Sequence, residues 1–223
     1  SDVCSSDLLW VATGGLTSVL TNMYQHEGVH RFYDDTWNSF LPSAYHSLDS
    51  LLDLVCITSD PEDPTHAFAG SWGRGLAEFK DGNIIGIYGD DAVSTLRSPS
   101  GATSPFIGIS GVAMDKDGNL WVANTQADYP LSVRWKNGSW QAFSLNGTTA
   151  GTHTGQVLCV SYGQKWIIIP RGGGLVAFND FGTKGTNDDK TVKLSKDAGN
   201  GALDRKSTRL NSSHVSESRM PSS

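Results

Sequence analysis

The sequence predicts an all-β fold built from repeated four-stranded units, and three observations predict it. Short segments of alternating apolar and polar residues recur with Gly, Asn and Asp between them, and long runs with a helical period are few. The 25 glycines and seven tryptophans among 223 residues suit many tight turns and broad packed sheet faces. Aligning one apolar segment with itself gives LWVATGG at Leu9, HAFAGSWG at His66, LWVANTQ at Leu120 and KWIIIPRG at Lys165. The matching positions Ala12, Ala69, Ala123 and Ile168 lie 57, 54 and 45 residues apart, a period that marks a repeat architecture.

The clearest unit runs from Ile109 to Leu145. Alternation places its strand a at Gly111 to Asp115, b at Leu120 to Asn124, c at Leu131 to Lys136 and d at Trp140 to Leu145. Asp117-Gly118 and Asn137-Gly138 supply the positive φ that closes the a–b and c–d hairpins. Four meandering strands repeated at this spacing describe the blade of a β-propeller. The first blade, about 9–40, enters at strand b, with c at Val29 to Tyr33 and d at Trp37 to Phe40. The second, about 54–88, starts at Leu54 and continues through Ala67 to Gly70, Leu76 to Lys80 and Ile84 to Tyr88. The fourth, about 155–195, has Val157 to Ser161, Trp166 to Ile169, Leu175 to Phe178 and Thr191 to Leu194. About four blades make an incomplete ring, since closed propellers have four to eight complete ones. Its two flanks are then uncovered, which predicts marginal stability or aggregation. A β-sandwich or a β-helix fits the four-strand recurrence less well.

Both ends read differently. Ser1 to Leu8, SDVCSSDL, and Asp204 to Ser223, beginning DRKSTRLNSSH, match the translation of sequencing-adapter DNA, so 1–8 and 204–223 are set aside as artefacts and 9–203 is read as a fragment of a longer protein. These ends carry four basic and four acidic residues, so the net charge of −6 is unchanged without them. That balance argues against nucleic acid as a partner. No stretch approaches the roughly 18 apolar residues of a membrane helix. Cys4 belongs to the first artefact, and Cys56 and Cys159, both in strand a of a blade, read as free packed thiols.

Blade topology sorts the loops onto two faces. The b–c loops and d–a connections, including Gly14 to Gly28, Leu41 to Asp53, Gly89 to Gly108 and Asn146 to Gly155, are long and varied, and they share one face. Short hairpins dominate the other, so the first is the expected binding face. Two b–c loops there, Ser71-Trp72-Gly73-Arg74-Gly75 and Pro170-Arg171-Gly172-Gly173-Gly174, put an arginine in a glycine-rich turn. Arg74 and Arg171 suit phosphate or carboxylate, and Trp72 a sugar ring. The competing reading is that the glycines serve backbone geometry and each arginine bridges blades.

Catalytic and metal motifs are absent from the pattern. His26, His30, His46, His66 and His153 lack metal-site spacing, and there is no GxSxG elbow, HExxH, P-loop or repeated sialidase turn. Asn179 to Asp189 is acidic without the order of an EF-hand loop, and Asp115 to Asn119 reads as a hairpin turn. The paired Asp90-Asp91 lies on the long-loop face without a defined geometry. No cofactor is expected.

GSWGRGLAEFKDGNIIGIY at Gly70 to Tyr88, SGVAMDKDGNLWVAN at Ser110 to Asn124, and KWIIIPRGGGLVAFND at Lys165 to Asp180, with the later DD and GNG, resemble the PorZ family of propeller proteins in the type IX secretion system of Bacteroidetes. Generic DGNLWVAN pieces are shared with two-component-regulator propellers, so SWGRG and PRGGG carry the resemblance. It implies a non-enzymatic cell-surface, outer-membrane-associated protein that assists the sortase component in attaching anionic lipopolysaccharide to cargo. The alternative is the periplasmic glycan-sensing propeller of a hybrid two-component histidine kinase, with a propeller lyase or hydrolase third.

Overall fold

The computed structural model describes residues 8–147, 149–160 and 162–195. Apart from Leu8, the adapter-like stretches lie outside the described residues, as do Ser161 and the GNG near residue 200. Among the described residues, fifteen antiparallel strands and two short 3-10 turns make up the regular structure.

Blade 1 comprises β1 (Leu9–Ala12), β2 (Val29–Tyr33) and β3 (Thr36–Phe40). Blade 2 comprises β4 (Leu54–Ser59), β5 (Ala67–Gly73), β6 (Gly75–Lys80) and β7 (Asn83–Tyr88). Blade 3 comprises β8 (Ile107–Met114), β9 (Leu120–Thr125), β10 (Leu131–Arg134) and β11 (Trp140–Phe143). Blade 4 comprises β12 (Val157–Cys159), β13 (Gln164–Ile169), β14 (Gly174–Asn179) and β15 (Lys190–Leu194). Every blade is a meander of sequential neighbours. The chain is an all-β propeller arc of three strands followed by three sets of four.

Alternation along each strand explains why the blades stack. In β5, Ala67 and Ala69 face blade 1 while Phe68 faces blade 3. In β9, Leu120 and Val122 face blade 2 while Trp121 and Ala123 face blade 4. The three hydrophobic clusters therefore lie between blades rather than within one. Trp10, Val29 and Phe40 meet Leu54, Ala77 and Phe79 across the first interface. Phe68 and Leu76 meet Ile109 and Val112 across the second. Trp121, Leu131 and Phe143 meet Val157, Ile167 and Phe178 across the third. The inner strands β5 and β9 are consequently buried on both faces, as period-2 strands between two layers must be.

Two features depart from the sequence expectation. Strand b of blade 2 continues past Gly70 to Gly73, because Trp72 and Gly73 pair with Gly108 and Ile107 of β8 and join blades 2 and 3 into one sheet. Small residues make that approach possible: a Cβ on Gly70 would lie 2.4 Å from Ile109 Cγ2. Strand a of blade 3 starts at Ile107, ahead of the expected Gly111, through a bulge between Ile109 and Gly111.

One glycine recurs where strand c begins. Gly28, Gly75 and Gly174 have φ of +72°, +100° and +95°. A Cβ on each would fall 2.0–2.1 Å from the carbonyl oxygen of the last residue of strand d, namely Phe40, Tyr88 and Leu194. Blade 3 has Pro130 at the corresponding place, directly before Leu131, which pairs with Phe143.

Candidate functional site

The long-loop face is held together by buried polar groups. Asp53, fully buried in the connection from blade 1 to blade 2, accepts backbone N–H bonds from Met23, Tyr24 and Gln25 at 2.9–3.1 Å. Asn22 donates to the same carboxylate at 3.1 Å and to the Trp72 carbonyl. The Asp53 carbonyl in turn accepts from the Trp72 N–H at 2.9 Å. The b–c loop of blade 1 is thus clasped onto the end of β5. Blades 3 and 4 are joined similarly: Ser110 Oγ contacts Thr154 Oγ1 at 2.9 Å and the Gly155 carbonyl at 3.1 Å, and Thr125 Oγ1 accepts from Thr154 N–H at 3.0 Å.

These clasps deliver three loops to Trp72. Its ring stacks on His153 at 6.0 Å and 15°, and meets Phe106 edge-on at 6.2 Å. Only 2% of Trp72 is exposed, so the indole forms the floor of this corner and presents no open face to a sugar. His153 is half-buried, and its Nδ1 has no hydrogen-bond partner among the described residues. Burial holds its pKa below the ordinary histidine value, and the nearby positive charge of Arg171 lowers it further. The imidazole is therefore neutral at pH 7, with a polar atom left over.

Arg171 lies in the turn between β13 and β14 at φ +59°, exposed. Arg74 is the single residue between β5 and β6, flanked by Gly73 at φ +138° and Gly75 at φ +100°, and is likewise exposed. Neither guanidinium makes a hydrogen bond or ion pair to another described residue, so neither side chain joins two blades through one. The fold brings Trp72 and Arg171 to the same histidine. Arg74 bridges its backbone to Ile107 and belongs to the rim. His153 was not distinguishable in the sequence, because neither its spacing nor its neighbours mark it; only the stacking and the loop geometry do.

On the opposite face the hairpins explain the acidic motifs. Asp115 accepts N–H bonds from Asp117, Asn119 and the Trp121 indole at 2.9–3.0 Å, which uses its carboxylate as a turn cap. Burial alone would raise its pKa, but these donors outweigh it and the carboxyl is held below its usual range. Between blades 2 and 3, buried Glu78 accepts from His66 at 2.7 Å and from the Tyr88 hydroxyl, with Arg134 at 3.4 Å. Cys56 and Cys159 are free, and burial pushes both thiols up to about 12, leaving them protonated and unreactive at pH 7. Among the described residues no cluster of His, Cys, Asp and Glu is arranged to hold a metal ion, and no helix is long and apolar enough to cross a membrane.

The sequence matches no protein-family model and no curated protein. Among solved structures it is similar to PorZ, described as an essential bacterial surface component of the type IX secretion system of Porphyromonas gingivalis. The likeness has a TM-score of 0.71 and 25% identity, over 85% of this chain and 26% of that one. It is similar at fold level to virginiamycin B lyase from Staphylococcus aureus, with a TM-score of 0.55 and 12% identity over 86% of this chain and 61% of the lyase. The extracellular domain of the one-component system BT4673 from B. thetaiotaomicron aligns at a TM-score of 0.43 and 13% identity, over 86% of this chain and 30% of that one, too weak to carry an argument. The chain spans about a quarter of the length of PorZ.

Proposed function

We propose that this chain is a propeller segment of a non-enzymatic, cell-surface, outer-membrane-associated component of type IX secretion, which assists the sortase component in attaching anionic lipopolysaccharide to cargo. The observation that carries the reading is the likeness to PorZ, which exceeds the lyase likeness in both superposition and identity. The loop face is compatible with it. Arg171, Arg74 and the unpaired nitrogen of His153 supply cationic and polar groups to an anionic headgroup. The overall charge of −6 opposes such a ligand, so the interaction has to be local.

The test is titration with anionic lipopolysaccharide purified from P. gingivalis. Arg171→Ala weakens binding about tenfold or more, the cost of one hydrogen bond to a charged group. A bound anion raises the pKa of His153 and makes binding take up a proton. Affinity therefore increases on acidification, and His153→Gln flattens this dependence. Binding of the Arg74→Ala/Arg171→Ala double variant within about twofold of the parent would overturn the site.

A further inference from the structure

A cavity on the hairpin face lies between blades 3 and 4, away from Trp72 and Arg171. Its volume is about 620 Å³, within the range of small-ligand sites. One wall is the start of the c–d connection of blade 4, 180–189, which is longer than the two-residue turn at Asp81-Gly82. That connection reaches across to blade 3, where Gln141 donates to the Lys184 carbonyl at 3.1 Å and the Lys184 ammonium sits 5.3 Å from the Trp135 ring. The cavity is left open beside the a–b hairpins.

Charge in the lining is already met. Lys165 and Asp180 form a buried pair at 2.6 Å, Lys116 and Asp117 pair at 2.7 Å, and Asp115 caps its own turn. An ionic ligand would find no unpaired counter-charge. What remains is of a different kind: the side-chain NH2 groups of Gln164 and Asn179, which donate to no other described residue, and two aromatic rings at the rim. Tyr162 is 88% exposed and Phe181 is 52% exposed. The Lys190 ammonium lies 5.6 Å from the Phe181 ring, which leaves Tyr162 as the open platform. An exposed ring beside unused amides and compensated carboxylates matches a ligand with an apolar C–H face and many hydroxyls.

We propose that this cavity binds a neutral saccharide stacked on Tyr162, at a site independent of the loop face. The experiment titrates the full chain with maltotriose, cellotriose and mannotriose, followed by calorimetry and by tryptophan fluorescence, to which Trp135 at the cavity wall contributes. At least one trisaccharide binds more tightly than about 1 mM. Tyr162→Ala weakens it about tenfold, as truncation of an aromatic anchor does, whereas Tyr162→Trp stays within about threefold. Gln164→Leu weakens it as well, and Arg171→Ala leaves it unchanged, which separates this site from the anionic one. Thermal unfolding of the Tyr162 variants matches the parent, because so exposed a ring contributes little to the core. Absence of any binding tighter than about 1 mM, indifference to Tyr162→Ala, or preference for a phosphorylated trisaccharide would each overturn the proposal.

Discussion

At Gly75 the backbone conformation and the neighbouring chain exclude any side chain. Its φ is +100°, and a Cβ would sit 2.0 Å from the Tyr88 carbonyl oxygen, which is backbone and cannot swing away. Gly82 has a similar sign of φ, +79°, with nothing within 4 Å. Gly75→Ala should therefore destabilise the chain by about 3 kcal/mol and Gly82→Ala by about 1 kcal/mol, compared by urea unfolding. Equal costs would show that the close approach carries no weight. Part of this was legible: Gly28-Val29, Gly75-Leu76 and Gly174-Leu175 all stand where strand c was expected to begin. Their common partner was not, because it lies at the far end of strand d and depends on hairpin register. His153 was illegible for a related reason. A histidine stacked on a buried tryptophan from another blade leaves no mark in its own surroundings.

At the scale of strands and turns, blade 4 carries a buried ion pair. The Lys165–Asp180 pair joins strand b to the c–d connection with side chains only 5% and 3% exposed, and the Lys165 ammonium lies 3.9 Å from the Trp121 ring. Lys165→Met leaves a buried carboxylate without its cation and should cost about 3–5 kcal/mol. Replacing both partners, Lys165→Met with Asp180→Leu, should recover most of that loss in the same denaturation experiment, since two apolar groups need no partner. If the double variant is as unstable as the single one, the pair is holding the loop rather than merely satisfying itself. Strand existence was readable from alternation, and so were the hairpins at Gly118 and Gly138, with φ of +78° and +85°. The extent of β5 was not. Ser71-Trp72-Gly73 has loop composition, and only its pairing with β8 makes it strand.

Across the whole molecule, three interfaces join four blades and two blade faces have no partner among the described residues. On blade 4, Leu158, Trp166, Ala177 and Val192 form one cross-strand row, with Leu158 53% and Val192 46% exposed. On blade 1, Leu9, Phe32 and Trp37 form another. Apolar rows of this kind favour association, so the chain should self-associate with rising concentration, and Val192→Lys with Trp37→Ser should shift light scattering toward monomer. A parent that is monomeric at every concentration would refute this. The repeat and its blade count were visible in the sequence because each blade restates the same apolar pattern; the fusion of blades 2 and 3 into one sheet required the structure. Because Ala67 and Phe68 serve different clusters, no blade owns a core. Each is at once lodger and landlord to the next, so loss of a terminal blade strips one wall from its neighbour. Amide hydrogen exchange should then advance inward from both ends, with β5 and β9, walled on either side, the last to yield their protons.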